Sequence, residues 1–209
     1  MMNILIADDH PIVRRGIIQI LLEEYPSAST GEASDAEELL YKLYADHWDI
    51  VICDLNMPGR SGIEAIHDIK EAAQGIPVLI MSMLPEEQYA IRAFKAGASG
   101  FLSKESLHLD LIKAVQKVLL GRKFITASIA EKLAESIDMD GEKPGHDLLS
   151  QREFEVFRLI VEGKTNSCIA EKLTLNASTI STYRSRILDK MHMHSVAELI
   201  RYASERKLF

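Results

Sequence analysis

Three carboxylates and one ammonium each stand where an apolar run stops. Asp8 and Asp9 follow Ile4-Leu5-Ile6-Ala7, Asp54 follows Ile50-Val51-Ile52-Cys53, and Lys104 follows Gly100-Phe101-Leu102-Ser103. If these runs are parallel strands, all four polar side chains collect at the carboxyl edge of one sheet, where open α/β sheets bind ligands. Crowded carboxylates raise one another's pKa and repel. A divalent cation relieves that cost, and a hard cation such as Mg²⁺ takes carboxylate, carbonyl and water oxygens. The turn Leu55-Asn56-Met57-Pro58-Gly59 can aim the Asn56 backbone carbonyl at the same ion. Ser82 follows the run Pro77-Val78-Leu79-Ile80-Met81 and offers a hydroxyl. Carboxylate, cation, hydroxyl and ammonium together suit the transfer of a phosphoryl group onto a carboxylate. Catalysis of that transfer is mostly positioning and charge neutralisation.

The elements that must position these groups are legible as alternation. Strands are expected at 3–7, 28–32, 50–53, 77–81 and 99–102, the second of them weakly patterned. Helices are expected at 11–24, 35–46, 62–73, 86–96 and 107–120. Pro11 suits a first helical position, and Ile12, Ile17, Ile20 and Leu21 define one helical face. Gly97 reads as a helix stop. Five strands alternating with five helices imply βαβ units, a parallel sheet and right-handed crossovers. In a flavodoxin-like order 2-1-3-4-5, strands 1 and 3 are neighbours, about 4.8 Å apart. Asp8, Asp9 and Asp54 then fall within reach of one metal.

The pattern changes after residue 121. Residues 122–147 read as a linker holding a short helix at 126–137 and a polar stretch with two glycines and a proline. From 148 to 209 the pattern is all-helical, at 150–162, 166–173, 177–191 and 195–206. Ser150-Gln-Arg-Glu153 forms a capping box, Gly163 ends that helix, and Asn176 or Ser178 can cap the third. The domains are therefore expected at 1–121, 122–147 and 148–209. The chain's net charge of −7 divides unevenly between them. Residues 150–209 carry ten Lys and Arg against seven Asp and Glu, a net of +3, which leaves −10 for residues 1–149. An acidic front and a mildly basic back point to two domains with different partners.

The helices 166–173 and 177–191, joined by a short turn, have helix-turn-helix spacing. The second helix of such a motif enters the major groove of DNA. Its apolar face would be Ile180, Ile187, Leu188 and Met191. Ser181, Thr182 and Ser185 stand among Arg184, Arg186 and Lys190 on the other face, short hydroxyls among cations that suit base edges flanked by phosphates.

Composition narrows the class further. Hydrophobic residues make up 47% of the 209, which is ordinary for a globular protein. No apolar run reaches bilayer length, so no membrane partner is expected, and the N-terminus has no secretory pattern. Cys53 and Cys168 are read as reduced, small, apolar residues of a cytoplasmic protein. Trp48 and Met57 read as packing residues, and His192 and His194 as turn residues without a metal.

Residues 3–120 resemble the receiver domain of two-component response regulators, on Asp8-Asp9, Asp54 with Asn56-Met57-Pro58-Gly59, Ser82, Phe101 and Lys104. The C-terminal run resembles the LuxR-type helix-turn-helix. It shows Leu149-Ser-Gln-Arg-Glu-Phe-Glu-Val-Phe, Gly163-Lys-Thr-Asn-Ser-Cys-Ile-Ala-Glu-Lys-Leu and Ser178-Thr-Ile-Ser-Thr-Tyr. From end to end the chain is similar to the NarL/FixJ class. The resemblance implies that a sensor histidine kinase phosphorylates Asp54. It implies Mg²⁺, with Mn²⁺ as a substitute, held by Asp9, Asp54 and the Asn56 carbonyl, with Asp8 acting through water. Ser82 and Lys104 would bind phosphoryl oxygens, and Phe101 would pack inward on activation. Glu105 follows Lys104 where many receivers have proline, and Tyr183 stands where many members have histidine.

By the same resemblance, Ser181, Thr182 and Ser185 face bases of double-stranded DNA. Lys164, Thr165, Asn166, Arg184, Arg186 and Lys190 face phosphates. Activation is expected to favour a homodimer, through helix 11–24 with 107–120, or through Val196, Leu199, Ile200 and Ala203 of the last helix. An enzyme is not expected. Haloacid-dehalogenase-type phosphatases need a second aspartate two residues after the nucleophile, and Asn56 holds that position. The other rival is a DNA-binding protein that ignores phosphorylation.

Overall fold

Unbroken apolar runs become the central strands, because a parallel sheet covered on both faces has no solvent side for polar residues to alternate onto. The computed structural model describes residues 1–57, 62–73, 75–84, 86–131, 145–206 and 208. The expected turn at Pro58-Gly59, the later part of the 126–137 helix and most of the polar linker lie outside the described residues. Two compact units are present, Met1–Met139 and Asp140–Phe209.

The first unit runs β1 (Asn3–Ala7), α1 (Pro11–Glu24), β2 (Ser29–Ala33), α2 (Ala36–Ala45), β3 (Ile50–Asp54), α3 (Gly62–Ala72), β4 (Val78–Ser82), α4 (Glu86–Ala96), β5 (Gly100–Ser103), a 3₁₀ turn (Lys104–Ser106) and α5 (Leu107–Leu119). All strand pairs are parallel, in the order β2-β1-β3-β4-β5. Every residue of β3 and β4 is buried. One face of the sheet packs Ile4, Ile6, Ile50, Ile52, Leu79 and Leu102 against Ile17 and Leu21 of α1 and Leu111, Val115 and Val118 of α5. The alternate residues, Leu5, Val51, Ile80 and Phe101, point to the opposite face and are equally buried. Burying each such side chain contributes about 1.5–3 kcal/mol. This is the framework that holds charged groups at the strand ends.

The weak patterning of β2 has a packing cause. A Cβ on Gly31 would run into the Trp48 ring. Trp48 is buried, and its indole N–H donates to the Lys42 carbonyl at 2.9 Å. β2 thus gives up a side chain to make room for the tryptophan.

Residues 122–131 pack on this unit. Phe124 N–H donates to the Ser99 carbonyl at 2.9 Å, Phe124 bridges Gly100, and the Thr126 hydroxyl donates to Glu86 at 2.5 Å. Ile129 is fully buried.

The second unit runs α6 (Gln151–Val161), α7 (Asn166–Lys172), α8 (Ala177–Lys190) and α9 (Val196–Glu205). Each start except that of α8 is closed by a side chain: Ser150, Thr165 and Ser195 accept from Glu153, Cys168 and Glu198 backbone N–H groups. The capping box at Ser150 and Glu153 is complete. Asn176 occupies the N-cap of α8 without a side-chain hydrogen bond. Phe154, Phe157, Ile169, Ile180, Ile187, Leu199 and Ala203 form the core. Two expectations change here. Leu199 and Ala203 are committed to their own core, which leaves Ile200, 41% exposed, and half-buried Val196 on the outer side of α9. Cys168 is exposed, not apolar filler, while Cys53 is buried, and both thiols are free. Among the described residues, no helix is long and apolar enough to cross a membrane.

Candidate functional site

β1 and β3 are adjacent, with Ala7 opposite Cys53, so Asp8 and Asp54 leave the sheet side by side. Lys104, the first residue after β5, reaches across the edge to both. Its Nζ lies 2.6 Å from Asp8 Oδ2 and 2.7 Å from Asp54 Oδ2. Asp8 is fully buried and the other two side chains are at most 8% exposed. Asp9 sits higher on the rim. Donor atoms of Asp8, Asp9, His10 and Asp54 all lie within 4.8 Å of one another. The three carboxylates and Lys104 therefore converge as expected from their positions after apolar runs.

Burial raises the Asp54 carboxyl above the usual carboxylate range, even though Lys104 and the Asn56 backbone N–H pull it down. Burial alone would depress Lys104, but Asp54 and Asp8 outweigh it and raise its pKa. Two buried carboxylates thus share one ammonium, and their surplus negative charge invites a second cation. Asp8 Oδ2 meets the Lys104 ammonium at 2.6 Å and Asp9 Oδ1 meets the His10 ring at 2.7 Å. A carboxylate-rich donor set whose negative charge one ammonium does not neutralise fits a hard divalent cation.

Ser82 is fully buried at the end of β4, and its hydroxyl accepts from the Leu84 N–H at 2.9 Å. Phe101 is wholly buried. The Lys104–Glu105 peptide is trans. Cys53 beside Asp54 is inert: burial, then the charges of Asp54 and Asp8, push its thiol up.

Three contributors were not singled out from sequence. Gly62 opens α3 against the acceptor strand: a Cβ there would collide with the Asp54 carbonyl oxygen, and its N–H donates to Leu55 at 2.8 Å. Arg14 donates to the Asp8 carbonyl at 2.5 Å and to Glu32 at 2.9 Å, fixing the β1 exit. His10 places its ring over Asp8 and Asp9. Only His10 carried a sequence signal, its position directly after the two aspartates.

In the second unit, Thr174 takes the left-handed conformation (φ 54°) in the turn from α7 to α8, and Leu175 N–H closes it on Ala170 at 2.8 Å. Ile180 and Ile187 hold α8 to the core. Ser181, Thr182, Arg184, Ser185, Arg186 and Lys190 are exposed, as are Lys164 and Thr165, with Asn166 half-buried. Asn166 Nδ2 donates to Ser181 Oγ at 3.3 Å. Ser181 and Thr182 donate to the Ala177 and Ser178 carbonyls, both at 3.1 Å. Lys190 differs from the others: its Nζ sits 2.7 Å from Glu153 Oε2, whose side chain is 4% exposed. Burial tends to raise Glu153, but Lys190 and the Ser150 N–H and hydroxyl prevail and hold it below the usual range.

A carboxylate cluster at the edge of a 2-1-3-4-5 parallel sheet, followed by a helix-turn-helix unit, defines a response regulator with a DNA-binding output. Comparison with known proteins agrees. Residues 4–116 match the response regulator receiver domain, and residues 147–203 match the bacterial regulatory proteins of the luxR family. The oxygen regulatory protein NreC of Staphylococcus epidermidis is 34% identical over 215 residues, covering 99% of both chains. The response regulator UvrY of Escherichia coli is 31% identical over 204 residues, covering 97% of this chain and 94% of its own. RcsB of Salmonella enterica serovar Typhimurium, solved bound to promoter rprA with the phosphomimetic BeF₃⁻, aligns with a TM-score of 0.61 at 30% identity, covering 98% of this chain and 99% of that one. The chain belongs to the NarL/FixJ family of two-component response regulators, transcription regulators that join a receiver domain to a LuxR-type DNA-binding domain.

Proposed function

We propose that Asp54 accepts a phosphoryl group from a sensor histidine kinase and that the phosphorylated chain regulates transcription as a homodimer on double-stranded DNA. The observation that carries this is the meeting of Lys104 Nζ with Asp8 and Asp54 at 2.6 and 2.7 Å, with Asp9 in reach of the same point. Asp8, Asp9, Asp54 and the Asn56 carbonyl would hold Mg²⁺ or Mn²⁺, which supplies charge neutralisation for the phosphoryl oxygens. An Asp54 oxygen attacks phosphorus, the bond from phosphorus to the donor nitrogen breaks, and the electron pair leaves with that nitrogen. Lys104 turns from the free carboxylate to a phosphoryl oxygen. Ser82 gives up its contact with Leu84 and donates its hydroxyl to another. Those two movements carry the signal away from the sheet edge. Asn56 offers no acid or base for turnover of an external substrate, so this reading is of a switch and not of an enzyme.

Ser181, Thr182 and Ser185 are assigned to base edges. Lys164, Thr165, Asn166, Arg184 and Arg186 are assigned to phosphates. The expected phosphate contact of Lys190 is revised: its ammonium is held by buried Glu153, so Lys190 acts by fixing the end of α8. A regulator of promoters works where the chromosome is, which places the chain in the cytoplasm.

The test is incubation with Mg²⁺ and a small acyl-phosphate donor, read by intact mass. Wild type gains one phosphate and Asp54→Ala gains none. Equal labelling of the two proteins refutes the assignment.

A further inference from the structure

His10 stands at the same edge but has no part in the phosphoryl transfer above. Its ring Nδ1 is 2.7 Å from Asp9 Oδ1 and 3.2 Å from Asp8 Oδ1. Its backbone N–H also donates to Asp8 Oδ1, at 2.8 Å, so the turn itself holds the ring over the carboxylates. Neighbouring donors around one octahedral cation with bonds of about 2.1 Å stand about 3 Å apart, and opposed donors about 4.2 Å. The two ring distances match neighbouring positions, and the 4.8 Å spread of the four side chains needs only small adjustment to close on one ion. His10 is 66% exposed, so it occupies the open side of the site, where a Mg²⁺ ion keeps water.

We propose that His10 is a further protein ligand beside Asp8, Asp9, Asp54 and the Asn56 carbonyl, which lets the receiver bind imidazole-preferring divalent cations such as Ni²⁺ in competition with Mg²⁺. This rests on the metal site proposed above. Mg²⁺ prefers oxygen and keeps its waters, so an imidazole gives it little. Late first-row cations gain from nitrogen and follow a rising affinity order toward Ni²⁺ and Cu²⁺. Ligation through Nδ1 puts the ring proton on Nε2, which faces water. One consequence is that the metal carried by the receiver follows the supply of cations in the cell as well as the phosphodonor.

The experiment titrates full-length wild type, His10→Ala and Asp9→Ala with Ni²⁺ and with Mg²⁺ by calorimetry. Pulsed electron paramagnetic resonance of one equivalent of bound Cu²⁺, an imidazole-preferring cation, then reads direct nitrogen coordination. The ratio of Ni²⁺ to Mg²⁺ affinity is expected to fall about tenfold or more in His10→Ala. A nitrogen coupling to Cu²⁺ in wild type is expected to vanish in both variants. An unchanged ratio, or no nitrogen coupling in wild type, overturns the proposal. The Asp9→Ala protein separates the two failures. If it keeps wild-type Mg²⁺ affinity, the metal site itself is wrong. If it loses Mg²⁺ while His10→Ala leaves the ratio unchanged, only the role of His10 is wrong.

Discussion

At the sheet edge Lys104, Asp8 and Asp54 lie almost wholly out of water, whereas on α8 Ser181, Thr182, Arg184, Ser185 and Arg186 all face it. Both are charged sites, yet they are built on opposite terms. Charges withdrawn from water interact strongly and must be paired, so the receiver site couples three chain segments into one electrostatic unit. Exposed charges are screened and act almost independently, so the surface of α8 is a sum of separate contacts. The first arrangement suits a switch, in which one added phosphoryl group disturbs every neighbour. The second suits a reader, in which changing one side chain changes one contact.

The largest expected effect follows from removing the shared ammonium. In metal-free buffer, Lys104→Ala leaves two buried carboxylates facing each other and should destabilise the first unit by about 3 kcal/mol, as breaking a buried ion pair does. Mg²⁺ should restore much of that loss, because it brings positive charge to the same oxygens. Denaturation of the full chain with and without Mg²⁺, followed by a probe in each unit, measures both. A variant as stable as wild type in chelator would mean that the receiver charges are as weakly coupled as those on α8.

Lys190 is the exception that sharpens the contrast, since it is an exposed residue tied to a buried partner. Its side chain is 43% exposed, so solvent screening reduces what the pair is worth. Lys190→Met should cost the second unit about 1 kcal/mol, mainly by leaving Glu153 without its cation. It should alter the salt dependence of DNA binding less than loss of a neighbouring arginine does. A normal melting temperature combined with a full loss of one phosphate contact would return Lys190 to the DNA-facing set.

How far each site is legible in sequence follows the same division. Asp8, Asp9, Asp54 and Lys104 announce themselves because a charge after a buried strand has few structural uses. The cap at Ser150, the stop at Gly97 and the exposed face of α8 are local patterns and are equally readable. What sequence does not carry is the identity of a distant partner. Nothing near Lys190 points to Glu153, 37 residues away, and nothing near Gly62 announces the Asp54 carbonyl that excludes a Cβ there. The periodicity of 195–206 gives the apolar face of α9 but not what covers it. That is why Leu199 and Ala203 read as pairing residues and prove to be core.

A subtler test compares the two buried carboxyls directly. Asp54 is raised because burial outweighs its donors, and Glu153 is lowered because Lys190 and Ser150 outweigh burial. The signs of their contributions to stability are therefore opposite. The contribution of Glu153 is present above the ordinary carboxylate pKa and is lost as pH falls through its lower folded value. That of Asp54 is fully present below its ordinary pKa and is lost as pH rises through its higher folded value. Carboxyl-carbon NMR titration of the metal-free chain should place Asp54 above and Glu153 below the ordinary range of their side-chain types. Both midpoints displaced upward would show that burial, and not the number of donors, governs both.

The smallest thermodynamic effect is expected where the surface is most open. Arg184 is exposed on α8, so Arg184→Ala should change stability by less than about 0.5 kcal/mol. Its effect should instead be on DNA, where each neutralised phosphate releases counterions and sets the slope of log affinity against log salt. The variant should lower that slope by about one unit and weaken binding to specific and unrelated DNA by a similar factor. Thr182→Ala should leave the slope unchanged and shift sequence preference, because a hydroxyl at a base edge carries information without charge. Affinities measured from low to moderate salt on a target and a scrambled duplex distinguish the two. If Arg184→Ala kept the wild-type slope and shifted sequence preference instead, Arg184 would lie at a base edge, and the division into independent base and phosphate contacts would have to be redrawn around a different edge of the helix.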